Sequence, residues 1–559
     1  MEAYYILIVG FLFILAVSLL IIGVSNDAVN FLNSAIGSKA APFKSILAIA
    51  AAGVLIGAVF SNGMMEVARK GIFNPEHFAF SEIMVIFLAV MLTDILLLDF
   101  FNTVGLPTST TVSIVFGLFG AAVAVSVYKI SGSGLSADAG TYINIENSML
   151  IIAGIFLSVV IAFNVGAIIQ WVVRLAFSFN VKKSYRYCSG IWGGFAITAI
   201  LYFLLIKGAS GSSLVTPEML AYINANTVRI LLISFVGWTL LFQLLVLFTR
   251  INILKVTVLV GTFALAMAFA GNDLVNFIGV PLAGFESFKA FIGSGGADAG
   301  TFMMVALRDP VSTPIYFLIA AGLIMILTLR FSKKARTVTA TTIDLSRQDE
   351  GSERFASSSL ARFIVRKTVE FNHGFAKIAP PGIISFVGKR FEAERDKEDK
   401  LDKQEKLAFD LVRASVNLVV ASILIAFGTS LRLPLSTTYV TFMVAMGTSL
   451  ADGAWGRDSA VFRITGVLTV IGGWFFTAFS AFLASFIIAT VVYFGKLPVI
   501  LILIGLSIYI LLRTHAFHRK RIEKEAGVNG MVRATSYEVL EACDDEVTGK
   551  ILKVSKILY

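Results

Sequence analysis

The sequence predicts an all-α polytopic membrane protein made of inverted-topology repeats, with broken or re-entrant helices and about 12 transmembrane spans. Three observations predict it. Hydrophobic residues make up 57% of the 559 positions and charged residues only 15%, with a mean hydropathy of +0.84; soluble domains average roughly 45–50% and roughly 25%. Apolar runs close to the roughly 20 residues that carry a helix across a bilayer recur along most of the chain. One polar hexad occurs twice among them, Asn26-Asp27-Ala28-Val29-Asn30-Phe31 and Asn272-Asp273-Leu274-Val275-Asn276-Phe277, identical at five of six positions. The short alternating segments of a membrane barrel are absent.

In chain order, residues 1–170 read as a first repeat. Its first span, about Tyr4 to Gly23, stops at the polar hexad, and a second covers Phe43 to Ser61. Beyond that span, Glu66, Arg69 and Lys70 read as a loop charge cluster. A third span, Ile83 to Phe101, carries Asp94 and Asp99 and meets Leu106-Pro107-Thr108-Ser109-Thr110-Thr111, from which a fourth continues to Val127. A fifth runs from Met149 to Ile169. Residues 171–250 form a linker with two spans, and 251–330 the first part of a second repeat. Gly23, Gly37, Gly279 and Pro281 read as helix breaks and close-packing points.

Residues 331–410, dense in both charge signs, read as a soluble insert; its run Glu392 to Lys406 is a solvated helix, and Leu360 to Phe371 lies along the membrane surface. The second repeat resumes over 411–494 and contains Leu433-Pro434-Leu435-Ser436-Thr437-Thr438, an echo of the earlier stretch. A turn at Gly495-Lys496-Leu497-Pro498 opens an extra span over 495–513, and 514–559 is a charged tail.

The net charge of +10 does not imply nucleic acid, because Lys and Arg cluster between spans as the positive-inside rule requires. Cys188 and Cys543 lie too far apart for metal-ligand spacing and are not expected to pair, and His77, His373, His515 and His518 form no zinc pattern. Residues 1–24 lack a basic leader, so a cleaved signal is not expected.

Spacing and sidedness support duplication. Asn26 and Ser109 are 83 positions apart; Asn272 and Ser436 are 164 apart, or 84 once the 80-residue insert is set aside. If the basic segments 171–187, 331–410 and 514–559 share the cytoplasmic side, four spans separate each from the next and five precede the first. The first hexad is then entered from outside and the second from inside, which makes the copies antiparallel.

The polar residues define a chemistry. Intramembrane carboxylates are functional candidates by default, so Asp27 and Asp273 stand out. With Asn26, Asn30, Asn272 and Asn276 they supply oxygens suited to Na⁺, and the carboxylates could instead carry H⁺. Ser109, Thr110, Thr111, Ser436, Thr437 and Thr438 follow a proline at helix starts, where hydroxyls, backbone N–H groups and the dipole favour an anion. Two carboxylates beside an anion would repel it by about 4 kcal/mol per contact at about 4 Å and an effective dielectric near 20. A proton or Na⁺ on each removes that cost, so cation and anion favour each other's binding, which is the thermodynamic basis of symport. An intramembrane hydrolase lacks its nucleophile–base, metal or P-loop pattern here, and no enzyme is expected.

The twin hexads, Gly37-Ser38-Lys39, Arg69-Lys70-Gly71-Ile72 and both Pro-x-Ser-Thr-Thr stretches resemble the PiT family of inorganic phosphate transporters. The resemblance implies a phosphate symporter of the cell (inner or plasma) membrane working by alternating access, with a sulfate permease as the alternative. It implies cation ligands at Asn26, Asp27, Asn30, Asn272, Asp273 and Asn276, with Na⁺ at Asp27 and Asp273 and no other cofactor. Phosphate ligands fall at Ser109, Thr110, Thr111, Ser436, Thr437 and Thr438. The family usually has Gly-Ala before each Asn-Asp and often His after Ser-Thr-Thr. This chain has Val24-Ser25, Ala270-Gly271, Val112 and Tyr439 there, and the missing His favours Na⁺ over H⁺. Expected partners are inorganic phosphate, the coupling ion and the lipid bilayer, with a homo-oligomer left open.

Overall fold

The computed structural model describes residues 2–104, 108–133, 139–178, 181–203, 216–308, 313–332, 358–363, 365–367, 370, 380–391, 410–452, 461, 464–465, 467–510 and 513. Gly105-Leu106-Pro107, most of the insert including Glu392 to Lys406, and the tail lie outside them. The chain divides into two units, 1–499 and 500–559. The second, taken by itself, is described as helix over 500–510.

The first unit is helical: α1 Glu2–Asp27, α2 Val29–Gly37, α3 Phe43–Phe60, α4 Phe80–Val104, α5 Thr110–Ser133, α6 Ala139–Tyr142, α7 Ile145–Phe177, α8 Val181–Leu201, α9 Pro217–Phe248, α10 Ile253–Gly293, α11 Ile315–Phe331, α12 Pro381–Phe391, α13 Leu411–Ser430, α14 Thr437–Ala451 and α15 over 467–499. Extended pairing among the described residues is confined to isolated bridges such as Phe73 with Ile143. Nine apolar helices among them are long enough to cross a membrane; α8 is more polar and α11 and α14 are shorter, so the expected count of about 12 is not reproduced on length and composition alone.

Helix boundaries differ from the sequence expectation at the hexads. The first apolar helix does not stop at Gly23 but continues as Tyr4–Gly37 with a single turn residue at Ala28, and α10 runs unbroken for 41 residues through Gly279 and Pro281. A proline inside a helix removes one backbone donor and crowds the carbonyl four residues earlier. Membrane helices tolerate it when neighbouring helices surround the freed groups, and α10 is buried on all sides from Ala264 to Gly284. The non-helical interruptions fall instead at Thr108-Ser109 and at the loop from Leu431 to Ser436. At Gly495-Lys496-Leu497-Pro498 helical structure also continues, and the expected turn is reduced to Lys496 at φ 47°.

α1 and α2 lie antiparallel to α10 along their whole length. Tyr5 meets Phe291 with ring centroids 5.9 Å apart, Leu12 packs near Gly284, Gly23 lies against the Phe277 ring, and Phe31 meets Phe269 at 5.3 Å. As one residue number rises the other falls, so the two hexads meet where the helices run past each other. Glycine permits the closest approaches elsewhere. A Cβ at Gly57 of α3 would collide with the Met267 carbonyl of α10, and one at Gly447 of α14 with the Phe163 carbonyl of α7.

Ion pairs close the ends. Arg174 of α7, fully buried, donates to both carboxylate oxygens of Asp452 at 2.9 and 2.7 Å and to Asp410 at 2.7 Å, fastening the starts and stops of α7, α13 and α14 together. Gln170 adds a 2.7 Å bond to Asp452. Glu66 is paired with Arg432 at 2.7 Å, at the opposite end of α13, and thereby links the two halves.

Gly447→Ala should lower the thermal midpoint of the detergent-solubilised protein, by an overpacking penalty of roughly 1–3 kcal/mol. Gly10→Ala, where a Cβ meets nothing within 4 Å, should leave it unchanged.

Candidate functional site

The twelve residues singled out from the sequence converge. α1, α2 and α10 bring the hexads together at their crossing, and the starts of α5 and α14 bring the Ser-Thr-Thr residues to them. Ten of the twelve are less than 7% exposed, Thr438 is 8% exposed, and Asn30 is partly buried. The hydroxyl of Ser109 receives the backbone N–H of Val112, and that of Ser436 the N–H of Tyr439, each at 3.2 Å. Both serines are therefore helix N-caps, which orients the two threonines that follow.

The hydrogen bonds come in symmetry-related pairs. Asp27 accepts from Thr110 of its own half (3.3 Å) and from Thr438 of the other half (3.1 Å). Asp273 accepts from Thr437 of its own half and from Thr111 of the other half (3.0 Å). Asn26 Nδ2 donates to Asp27 (2.9 Å) and to the Thr108 carbonyl (3.3 Å); Asn272 Nδ2 donates to Asp273 (2.9 Å) and to the Leu435 carbonyl (2.6 Å). Asn30 Nδ2 reaches Thr438 at 3.1 Å, and Asn276 Nδ2 reaches Thr111 at 2.9 Å. Every bond in this set is repeated in the other half.

The symmetry breaks in detail. Asn276 Nδ2 also bonds Asp273 at 3.0 Å, while Asn30 Oδ1 accepts from Thr441 at 3.2 Å. Thr429 and the Leu435 N–H both donate to Asn272 Oδ1. The carbonyls of Thr108 and Leu435, and the side chains of Thr429 and Thr441, are members that the sequence reading missed. Thr441 had a signal, since it lies one turn beyond Thr438; the carbonyls had none. Asp94 and Asp99, buried in α4, make none of these bonds.

Among the described residues no Lys or Arg pairs with Asp27 or Asp273, and no three His, Cys, Asp or Glu side chains gather as a metal site. Neutral donors alone leave two carboxylates incompletely compensated in a low-dielectric interior. Asn276 Oδ1 is buried without a hydrogen-bond partner and adds a neutral oxygen to the carboxylate oxygens. An all-oxygen set of this kind fits a hard cation. Helix N-termini with hydroxyls on the same cluster fit an oxyanion. A cavity of about 60 Å³ adjoins the cluster, with Asn26, Asn30 and Thr438 in its wall.

A family model described as the phosphate transporter family matches residues 23–337, which include both hexads and the first Ser-Thr-Thr. Two curated proteins carrying the name "Putative phosphate permease" are similar to this chain. The one from Thermococcus kodakarensis is 26% identical over 264 residues, covering 46% of this chain and 61% of that protein. The one from Helicobacter pylori is 26% identical over 334 residues, covering 56% of each. The chain thus spans less than two thirds of the length of these relatives. A solved structure titled "The sodium-dependent phosphate transporter" aligns over 87% of this chain and 99% of that one, with a TM-score of 0.59 and 18% identity, a likeness of fold.

Asn276→Ala should destabilise the protein more than Asn30→Ala. The first strips a donor from both Asp273 and Thr111; the second strips one from Thr438 and an acceptor from Thr441, whose hydroxyl keeps the Thr437 carbonyl as acceptor. Each buried partner left unsatisfied costs roughly 1–3 kcal/mol, measurable as a larger drop in thermal midpoint for Asn276→Ala.

Proposed function

Because the chain belongs to the phosphate transporter family, we propose that it is a secondary active transporter that imports inorganic phosphate together with a cation, by alternating access. The observation that carries this reading is the reciprocal bonding of Asp27 and Asp273. Each aspartate is held by a hydroxyl from its own half and one from the other, beside two helix N-termini and with no basic partner among the described residues.

A cation on each carboxylate supplies the missing positive charge. Asn26, Asp27 and Asn30 in one half and Asn272, Asp273 and Asn276 in the other would hold it, with Na⁺ favoured over H⁺. The hydroxyls and backbone N–H groups at Ser109, Thr110, Thr111, Ser436, Thr437 and Thr438 then receive the anion without a lysine or arginine that would retain it. Loss of the cation restores the repulsion, which is roughly 4 kcal/mol per close contact at an effective dielectric near 20, and expels the anion. Since Thr111 and Thr438 each bind the other half's aspartate, filling or emptying the site acts on the contact between halves. The cycle contains no covalent step.

The protein would sit in the cell membrane with 331–410 and 514–559 on the cytoplasmic side. This places Arg174, Asp410 and Asp452 at the inner end and the Glu66–Arg432 pair at the outer end.

Reconstituted in liposomes, the protein should take up labelled phosphate when a Na⁺ gradient is imposed, and sulfate in excess should compete poorly. Asp27→Asn and Asp273→Asn should each reduce uptake to the level of empty liposomes. Uptake unaffected by either Na⁺ or H⁺ gradients would overturn symport, and sulfate uptake in place of phosphate would reassign the substrate.

A further inference from the structure

The pseudo-twofold that relates the two aspartates does not extend to their surroundings. On one side, the cavity of about 60 Å³ continues beyond Asn30 and Thr438 between Asn33, Ser34, Asn417 and Thr441. Asn33 and Ser34 have Gly279 and Val280 as their counterparts after the second hexad, and Thr441 has Ile114 after the first Ser-Thr-Thr. Val90 holds the same position relative to Leu106-Pro107 that Asn417 holds relative to Leu433-Pro434. All four counterparts are buried, apolar or without a side chain. The chain thus sets four polar side chains into the otherwise largely apolar wall of a chamber on one side of the site. The other side has apolar or absent side chains at those four positions and carries its buried carboxylate, Asp94, at the position that matches Ala421 of the chamber wall.

The chamber points toward the end fastened by Arg174. Asn33 and Ser34 follow the hexad toward Gly37, where α2 stops, and Asn417 lies about two turns beyond the Asp410 cap of α13. From Asn417 a chain of bonds continues outward: Thr448 donates to Asn417 Oδ1 at 2.6 Å, and Arg413 Nε donates to Thr448 at 3.3 Å.

Its hydrogen-bonding inventory is mixed. Asn33, about nine-tenths buried, has its Oδ1 without a partner. The single hydrogen of the Thr441 hydroxyl is taken up between the Thr437 carbonyl at 2.8 Å and Asn30 Oδ1 at 3.2 Å, so its oxygen is left as an acceptor. Ser34 Oγ accepts from Asn417 Nδ2 at 3.4 Å, which leaves its own hydrogen to donate. A ligand here must both give and take hydrogen bonds. Sulfate at neutral pH only accepts, and two acceptor oxygens would face it unpaired. A protonated phosphate carries P–O⁻ for Ser34 and P–OH for Asn33 and Thr441. The volume suits it: a water needs about 10–15 Å³, so the chamber has room for about four to six waters, and dihydrogen phosphate has five non-hydrogen atoms.

We propose that Asn33, Ser34, Asn417 and Thr441 form a second, inner subsite off the pseudo-twofold, which holds a protonated tetrahedral oxyanion between the aspartate cluster and the cytoplasm and selects phosphate over sulfate. The proposal rests on the phosphate-symport reading and adds a waypoint and a selectivity element to it.

The test compares uptake kinetics in inverted and right-side-out membrane vesicles. With inverted vesicles, Asn33→Leu should raise the KM for phosphate about fivefold, the loss expected for one hydrogen bond. Right-side-out vesicles should change less. Sulfate should compete relatively better in the variant, and Asn33→Ser, which restores a hydroxyl oxygen, should recover much of the difference. Asn33→Ala, which only removes atoms from a cavity wall, carries the test if the leucine variant does not fold. Wild-type vesicles that take up no phosphate would overturn the function itself. Wild-type uptake with KM and sulfate competition unchanged in the variants would overturn the inner subsite alone.

Discussion

Two carboxylates in the middle of a membrane protein are the constraint around which this fold is arranged. Neither aspartate is satisfied by its own helix alone. The donors found there are the amides of Asn26 for Asp27 and of Asn272 and Asn276 for Asp273, which leave carboxylate lone pairs open in a low-dielectric interior. Each therefore takes donors from a helix start in its own half and from the matching helix start in the other half. Four helix segments must converge on one spot for this to work, and the long helices, glycine contacts and capped loops are what allow them to converge.

The supporting packing is of two kinds. Where helices run close, glycine replaces side chains, as at Gly57 against Met267 and Gly447 against Phe163. Where helices end, charges fasten them. Arg174 serves Asp410 and Asp452 at once, and such a buried pairing is costly to break because a single deletion strands the remaining charge. The Glu66–Arg432 pair differs: its arginine is 60% exposed, so water competes for it and it holds far less firmly. The two ends of the bundle are thus closed with unequal strength.

Much of this was legible in the sequence. The twin hexads, the paired Ser-Thr-Thr stretches and their matching spacing located the residues that meet, because duplication leaves the same letters at the same separation. Other features were not legible. Polar residues and Pro281 read as helix ends, yet both helices continue, since side-chain partners on neighbouring helices satisfy what the local sequence leaves open. Glu66 read as part of a cluster with Arg69 and Lys70 but pairs with Arg432, a partner fixed only by tertiary structure. The cap role of Ser109 and Ser436 needs backbone geometry, and the use of Thr111 and Thr438 across halves needs the antiparallel crossing.

The reciprocal threonines also bear on ancestry. Bonds that repeat under exchange of halves are self-complementary: two separate copies of one half, inserted into the membrane in opposite orientations, would make each of them twice. In such a pair every substitution appears on both faces, so a polar lining such as Asn33 could not be opposed by Gly279. Joining the halves into one polypeptide removes that restriction, and the two faces of the membrane can then be given different chemistry by independent mutation.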